Sequence, residues 1–119
     1  MNPLTLAPVS GSIACMILGV VGLLRPKFFM SVCGLKPSTP MGTLEMRAVF
    51  GGCLFTLGAV CLITAAPAAY LTAGLLWLTS AAVKLMLMRF DDVPFGALLA
   101  GLAGDLPLGL LMLSGYWIY

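Results

Sequence analysis

Ten residues of this chain are charged, and four of them, Glu45, Arg47, Lys84 and Asp105, fall inside long apolar runs where a charge needs a physical reason. Asp105 sits in Gly101-Leu102-Ala103-Gly104-Asp105-Leu106-Pro107-Leu108-Gly109. A carboxylate in hydrocarbon costs about 2.5–3.5 kcal/mol on insertion scales, so such a residue is by default a functional-site candidate with a partner to be named. Gly101 and Gly109 flank it at four-residue spacing and leave its helix face bare, open to another helix or a ligand. Pro107 lacks an N–H and clashes one turn back, which predicts a kink beside the carboxylate and a freed carbonyl at Ala103.

The chemistry these residues suit is proton transfer. A carboxyl group in a dry site keeps its proton to higher pH than in water and can act as acid or base. In that reading Asp105 and Glu45 are the catalytic candidates, and Lys84 or Arg47 steadies developing negative charge. Trp77, Gly52 and Gly101 complete the ligand-binding candidates. Trp77, Ser80, Ala81, Met88 and Asp91 share the face of Lys84 by three- and four-residue spacing. Glu45 shares its face with Ala48, Gly52, Thr56 and Ala59, a small-residue stripe expected to pack on neighbouring helices and turn the carboxylate inward. Arg47 lies nearer the Phe50, Gly51 and Leu54 side, from which it can snorkel to phosphates; Lys84, about 9 Å from the end of its span, can do the same. A plainer reading has equal standing: Asp105 and Lys84 form a buried ion pair that fixes helix order and touches no ligand.

The chain has no histidine, which removes the commonest metal ligand and the usual proton carrier near neutral pH. No metal and no cofactor are expected. Cys15, Cys33, Cys53 and Cys61 form no Cys-x-x-Cys pair and read as small apolar packers.

The elements that must position these residues are membrane spans. Hydrophobic residues make up 61% of the 119 and charged residues 8%, far below the roughly 25% charged of soluble domains. The reading is an all-α integral membrane four-helix bundle, one transmembrane domain over residues 1–119, with spans at about 6–24, 40–66, 71–90 and 95–119. Sparse basic residues argue against a nucleic-acid partner. A removable signal peptide is disfavoured, since Arg25-Pro26-Lys27 follows the first apolar run where a small-residue cleavage site would stand. In span one, Gly11, Cys15, Gly19 and Gly22 form a seam for close helix approach. Pro26 suits a helix start and Gly34 a helix end, so a short interfacial helix is predicted from Pro26 to Cys33, with Phe28 and Phe29 at headgroup level. Ser38-Thr39-Pro40 reads as cap and first-turn proline of span two. Pro67-Ala68-Ala69-Tyr70 reads as a tight turn before span three. Tyr70 with Tyr116, Trp117 and Tyr119 reads as one aromatic belt.

Arg25, Lys27 and Lys36 lie in the first loop and Arg89 at the third, while the second loop and both termini carry no Lys or Arg. The positive-inside rule then places loops one and three in the cytoplasm and both termini outside. Glu45, Arg47, Lys84 and Asp105 fall in the same half of the membrane, with Asp105 deepest.

Thr43-Leu44-Glu45-Met46-Arg47-Ala48-Val49-Phe50-Gly51-Gly52 resembles the Glu-x-Arg-Ala-x-x-Gly-Gly signature of a DoxX-like family of small four-span bacterial membrane proteins, largely of unknown function. The Arg-Pro turn after span one and the acidic residue in span four are similar as well. The resemblance implies a four-helix fold, importance for Glu45, Arg47, Gly51 and Gly52, and a bacterial inner membrane; it supplies no reaction.

Three functions compete. The first is a charged pocket for a lipophilic or amphiphilic small molecule, extending to a cofactor-independent acid–base enzyme of isomerase, cyclase or epoxide-opening type. The second is a small proton-coupled exporter, suggested by size, although span one has no charge at all. The third is an accessory subunit of a membrane complex, with a second copy or another membrane protein as partner besides the lipid bilayer.

Overall fold

The computed structural model describes residues 3–33, 35, 36, 38–88 and 94–119, residue 97 as backbone. A 3-10 turn (Pro3–Thr5) leads into α1 (Leu6–Leu24), followed by the short α2 (Pro26–Val32). Span two is composite: α3 (Pro40–Met46), a π-helical segment (Arg47–Cys53) and α4 (Leu54–Thr64). Then come α5 (Pro67–Leu87) and α6 (Phe95–Ile118). Four helices are long and apolar enough to cross a membrane, the architecture of an integral membrane helical bundle.

Prolines set the helix starts. Pro26, Pro40 and Pro67 each occupy a first-turn position, where the missing N–H costs nothing. The Thr39 hydroxyl caps span two by accepting from the Gly42 N–H at 3.0 Å. Span two ends at Thr64, because Ala65 adopts a left-handed conformation (φ 48°) and its N–H closes on the Cys61 carbonyl at 3.0 Å. Pro67 to Tyr70 is therefore the first turn of α5, not a loop, and the reversal is carried by Ala65 and Ala66. The helix α6 runs unbroken through Pro107. Arg89, Asp91 and the rest of 89–93 lie outside the described residues, as do Gly34 and Pro37.

The glycines of α1 explain the packing. A Cβ on Gly19 would come 2.5 Å from the Phe55 backbone nitrogen, one on Gly22 would crowd Gly51, and one on Gly11 would meet Leu111 and Met112. The expected seam is thus internal and serves two neighbours, span two and α6. On the other side of the bundle α5 packs along α6, with Gly74 against Leu113 and Gly109 against Leu78. The structure is two tight hairpins, joined chiefly where α1 meets α6. Cys15, Phe29, Leu54, Cys61, Tyr70, Ala73 and Met112 form the main core, while Ala81, Leu98 and Leu102 make a smaller one in the second hairpin.

Span two presents a different face from the one its spacing suggests. It buries Gly51, Leu54, Gly58 and Cys61, whereas Glu45, Ala48 and Thr56 are exposed and a Cβ on Gly52 would meet nothing within 4 Å. The buried positions keep regular i, i+3, i+7 spacing from Gly51, so the face is set by where α1 approaches, with Gly19 and Gly22 against Gly51 and Phe55, and not by the spacing of the small residues. The stripe therefore faces outward, and the Glu45 carboxylate with it.

The interfacial helix forms as expected, but only Phe28 is surface-exposed; Phe29 is buried and meets Phe50 at 5.6 Å. The aromatic belt also divides. Tyr70 is fully buried and stacks on Tyr119 at 5.3 Å, and Tyr116 and Trp117 remain exposed. Of the cysteines, Cys15 and Cys61 pack inside and Cys33 and Cys53 are exposed.

Candidate functional site

Asp105 and Lys84 meet. Lys84 Nζ donates to Asp105 Oδ2 at 2.7 Å, and Ser80 Oγ donates to the same oxygen at 2.9 Å. Ser80 and Lys84 stand four residues apart on α5, one turn above the other on the face that packs on α6. Gly101 makes the approach possible: a Cβ there would lie 3.3 Å from Lys84 Nζ, so the lysine tip lies over the bare glycine. At the other flank Gly109 admits Leu78 and the Cβ of Trp77. The bare face around Asp105 thus receives a neighbouring helix.

Exposure divides the pair unequally. The Asp105 side chain is 7% exposed and that of Lys84 41%. The carboxylate is the buried counter-ion, and the ammonium is the member that reaches the surface. An ammonium carries three donors, and among the described residues this one spends one of them, on Asp105. Among the described residues no donor reaches Asp105 Oδ1. The sequence placed Ser80 on the face of Lys84 but gave it no role; its i,i+4 spacing to Lys84 was the signal for a second donor to Asp105.

Cys33, just beyond α2, stands within electrostatic reach of the pair. Partial burial pushes its thiol above the ordinary value, the Lys84 ammonium pulls it down and the Asp105 carboxylate pushes it up. The end of α2 therefore lies at the same end of the bundle as the pair.

Glu45 and Arg47 are not part of this site. Both are exposed, and among the described residues neither forms an ion pair. The helix α3 packs on α2 and continues into the π segment and does not pack along α5 or α6, so the four-charge cluster expected from depth alone separates laterally. Trp77 is half-buried two turns from Lys84, and its buried indole Nε1 has no hydrogen-bond partner among the described residues. Gly52 faces outward. Among the described residues no three Cys, Asp or Glu side chains converge as a metal site.

A second buried polar contact escaped the sequence reading. Ser12 Oγ lies 3.0 Å from both the Pro8 carbonyl and the Tyr70 hydroxyl, tying α1 to α5 near the uncharged second turn. Serine among glycines in α1 gave no distinctive signal. Comparisons of the chain with protein-family models, with characterised proteins and with solved structures find no match.

Proposed function

We propose that the protein binds a lipophilic or amphiphilic small molecule at the Lys84–Asp105 pair, with Lys84 as the group that meets the ligand. The observation that carries this reading is the unequal exposure of a 2.7 Å ion pair, with a buried carboxylate behind a half-exposed ammonium. A pair serving packing alone has no need of an accessible cation. Here Asp105 and Ser80 orient Lys84, whose remaining donors suit a carbonyl, hydroxyl or acidic headgroup entering from the hydrocarbon. At 2.7 Å the same pair can exchange a proton, which keeps an acid–base reaction within the proposal, with Lys84 at the substrate and Asp105 behind it. Glu45 and Arg47 then belong to a separate interfacial feature. The DoxX-like resemblance, the bacterial inner membrane and the orientation with both termini outside complete the proposal and rest on the motif Glu45 to Gly52 and on the placement of Lys and Arg.

The test is mass spectrometry of small molecules retained by the purified protein and by its Lys84→Met and Asp105→Asn variants. One specific lipophilic compound should be retained by the wild type and lost from Lys84→Met. Identical retention by all three proteins would remove the pair from ligand binding.

A further inference from the structure

Away from the Lys84–Asp105 pair, the junction of α1 and α2 encloses a groove of about 240 Å³ lined by Val20, Val21, Leu24, Arg25 and Phe28. Its walls are aliphatic and aromatic, and Val20, Leu24 and Phe28 all have exposed surface. Among the described residues Arg25 is the one charged residue of the lining, standing where the chain leaves α1 and turns into α2. Among the described residues no carboxylate pairs with it. Lys27 follows two residues later and is also exposed, and the segment 24–33 contains no acidic residue.

These features specify an amphiphile. The groove walls belong to the last turns of a spanning helix and the first turns of an interfacial one, so the apolar part lies at acyl-chain depth and Arg25 at headgroup depth. A guanidinium that meets no acid among the described residues can bind phosphate through paired N–H donors, and the methylenes of an acyl chain fill an aliphatic slot that water would otherwise occupy at a cost. Basic residues beside a span also attract acidic headgroups over a Debye length. We propose that the α1–α2 groove is a binding site for an anionic phospholipid of the surrounding bilayer, with its acyl chain along Val20, Leu24 and Phe28 and its phosphate on Arg25.

The site is tested by native mass spectrometry of the full chain in detergent, titrated with phosphatidylglycerol and separately with phosphatidylcholine of the same acyl chains. The wild type should bind one phosphatidylglycerol more tightly than the zwitterionic lipid. Arg25→Gln should weaken phosphatidylglycerol by about tenfold, the worth of a charge-assisted phosphate contact, and bring the two lipids level. Val20→Trp, which fills the groove from an exposed position, should weaken both lipids; Leu24→Trp provides the same test if that variant does not fold. Lys27→Gln, outside the groove lining, should change affinity less than Arg25→Gln. Equal affinity of the wild type for both lipids, an equal loss with Lys27→Gln and Arg25→Gln, or unchanged binding in the groove-filling variants would each overturn the assignment. Inorganic phosphate displacing the lipid at millimolar concentration would also overturn it, because the acyl chain would then contribute nothing.

Discussion

Lys84 and Asp105 illustrate how one residue type changes role with exposure. In the hydrocarbon an unpaired carboxylate is expensive, and the structure meets that cost with two donors from one face of α5. The thiol of Cys33 offers a reporter of that arrangement. Its pKa is raised by partial burial, lowered by Lys84 and raised by Asp105, so the two partners have opposite effects on its reactivity. In a Cys53→Ser background, alkylation of Cys33 at pH 8 should be slower than that of an unstructured cysteine, because less of it is thiolate. Lys84→Met should slow it further and Asp105→Asn should speed it, with the pH–rate curve moving up and down respectively. Equal shifts in one direction would mean that Cys33 senses only the packing of α2. The sequence showed that Asp105 needed a partner and named Lys84, since both are rare charges at compatible depths. It could not show that Glu45 stays away, because depth along a helix says nothing about lateral position in a bundle.

At the scale of elements, span boundaries were legible from apolar runs and prolines, and α1 and the start of span two fall where their signals place them. Two features were hidden. The left-handed Ala65 has none of the glycine or asparagine signal that normally marks such a position, which is why Pro67 to Tyr70 reads as a turn. Nor does the sequence show which of two adjacent glycines, Gly51 or Gly52, packs against α1. Substitution separates them. Gly19→Ala, facing the backbone of span two, should destabilise the protein by about 1–3 kcal/mol in reversible denaturation in mixed micelles. Gly51→Ala should behave alike, since its Cβ would strike Leu23. Gly52→Ala, with open space around it, should be neutral or gain up to about 1 kcal/mol from helix propensity. A loss at Gly52 equal to that at Gly51 would mean that both faces of span two are packed.

Over the whole molecule, the long dimension of 45 Å matches a bilayer with its headgroup layers, about 40–45 Å. Basic residues gather at one end with α2, and the aromatic cluster of Tyr70, Tyr116, Trp117 and Tyr119 at the other. With the basic end inside, a periplasmic reporter fused after Tyr119 should be active and one inserted at Lys36 inactive, with the pattern inverted for a cytoplasmic reporter. The opposite pattern would reverse the orientation and move the Lys84–Asp105 pair to the outer leaflet.

The two-hairpin construction bears on how such a chain is made. Lys84 and Asp105 belong to successive helices of one hairpin, and their contact crosses no other element. The carboxylate of the last span therefore finds its counter-ion on the helix synthesised just before it. Insertion of α6 then need not wait for α1 and span two to assemble, because the Lys84 and Asp105 charges within the two spans offset each other before Gly11 admits α6 to the first hairpin.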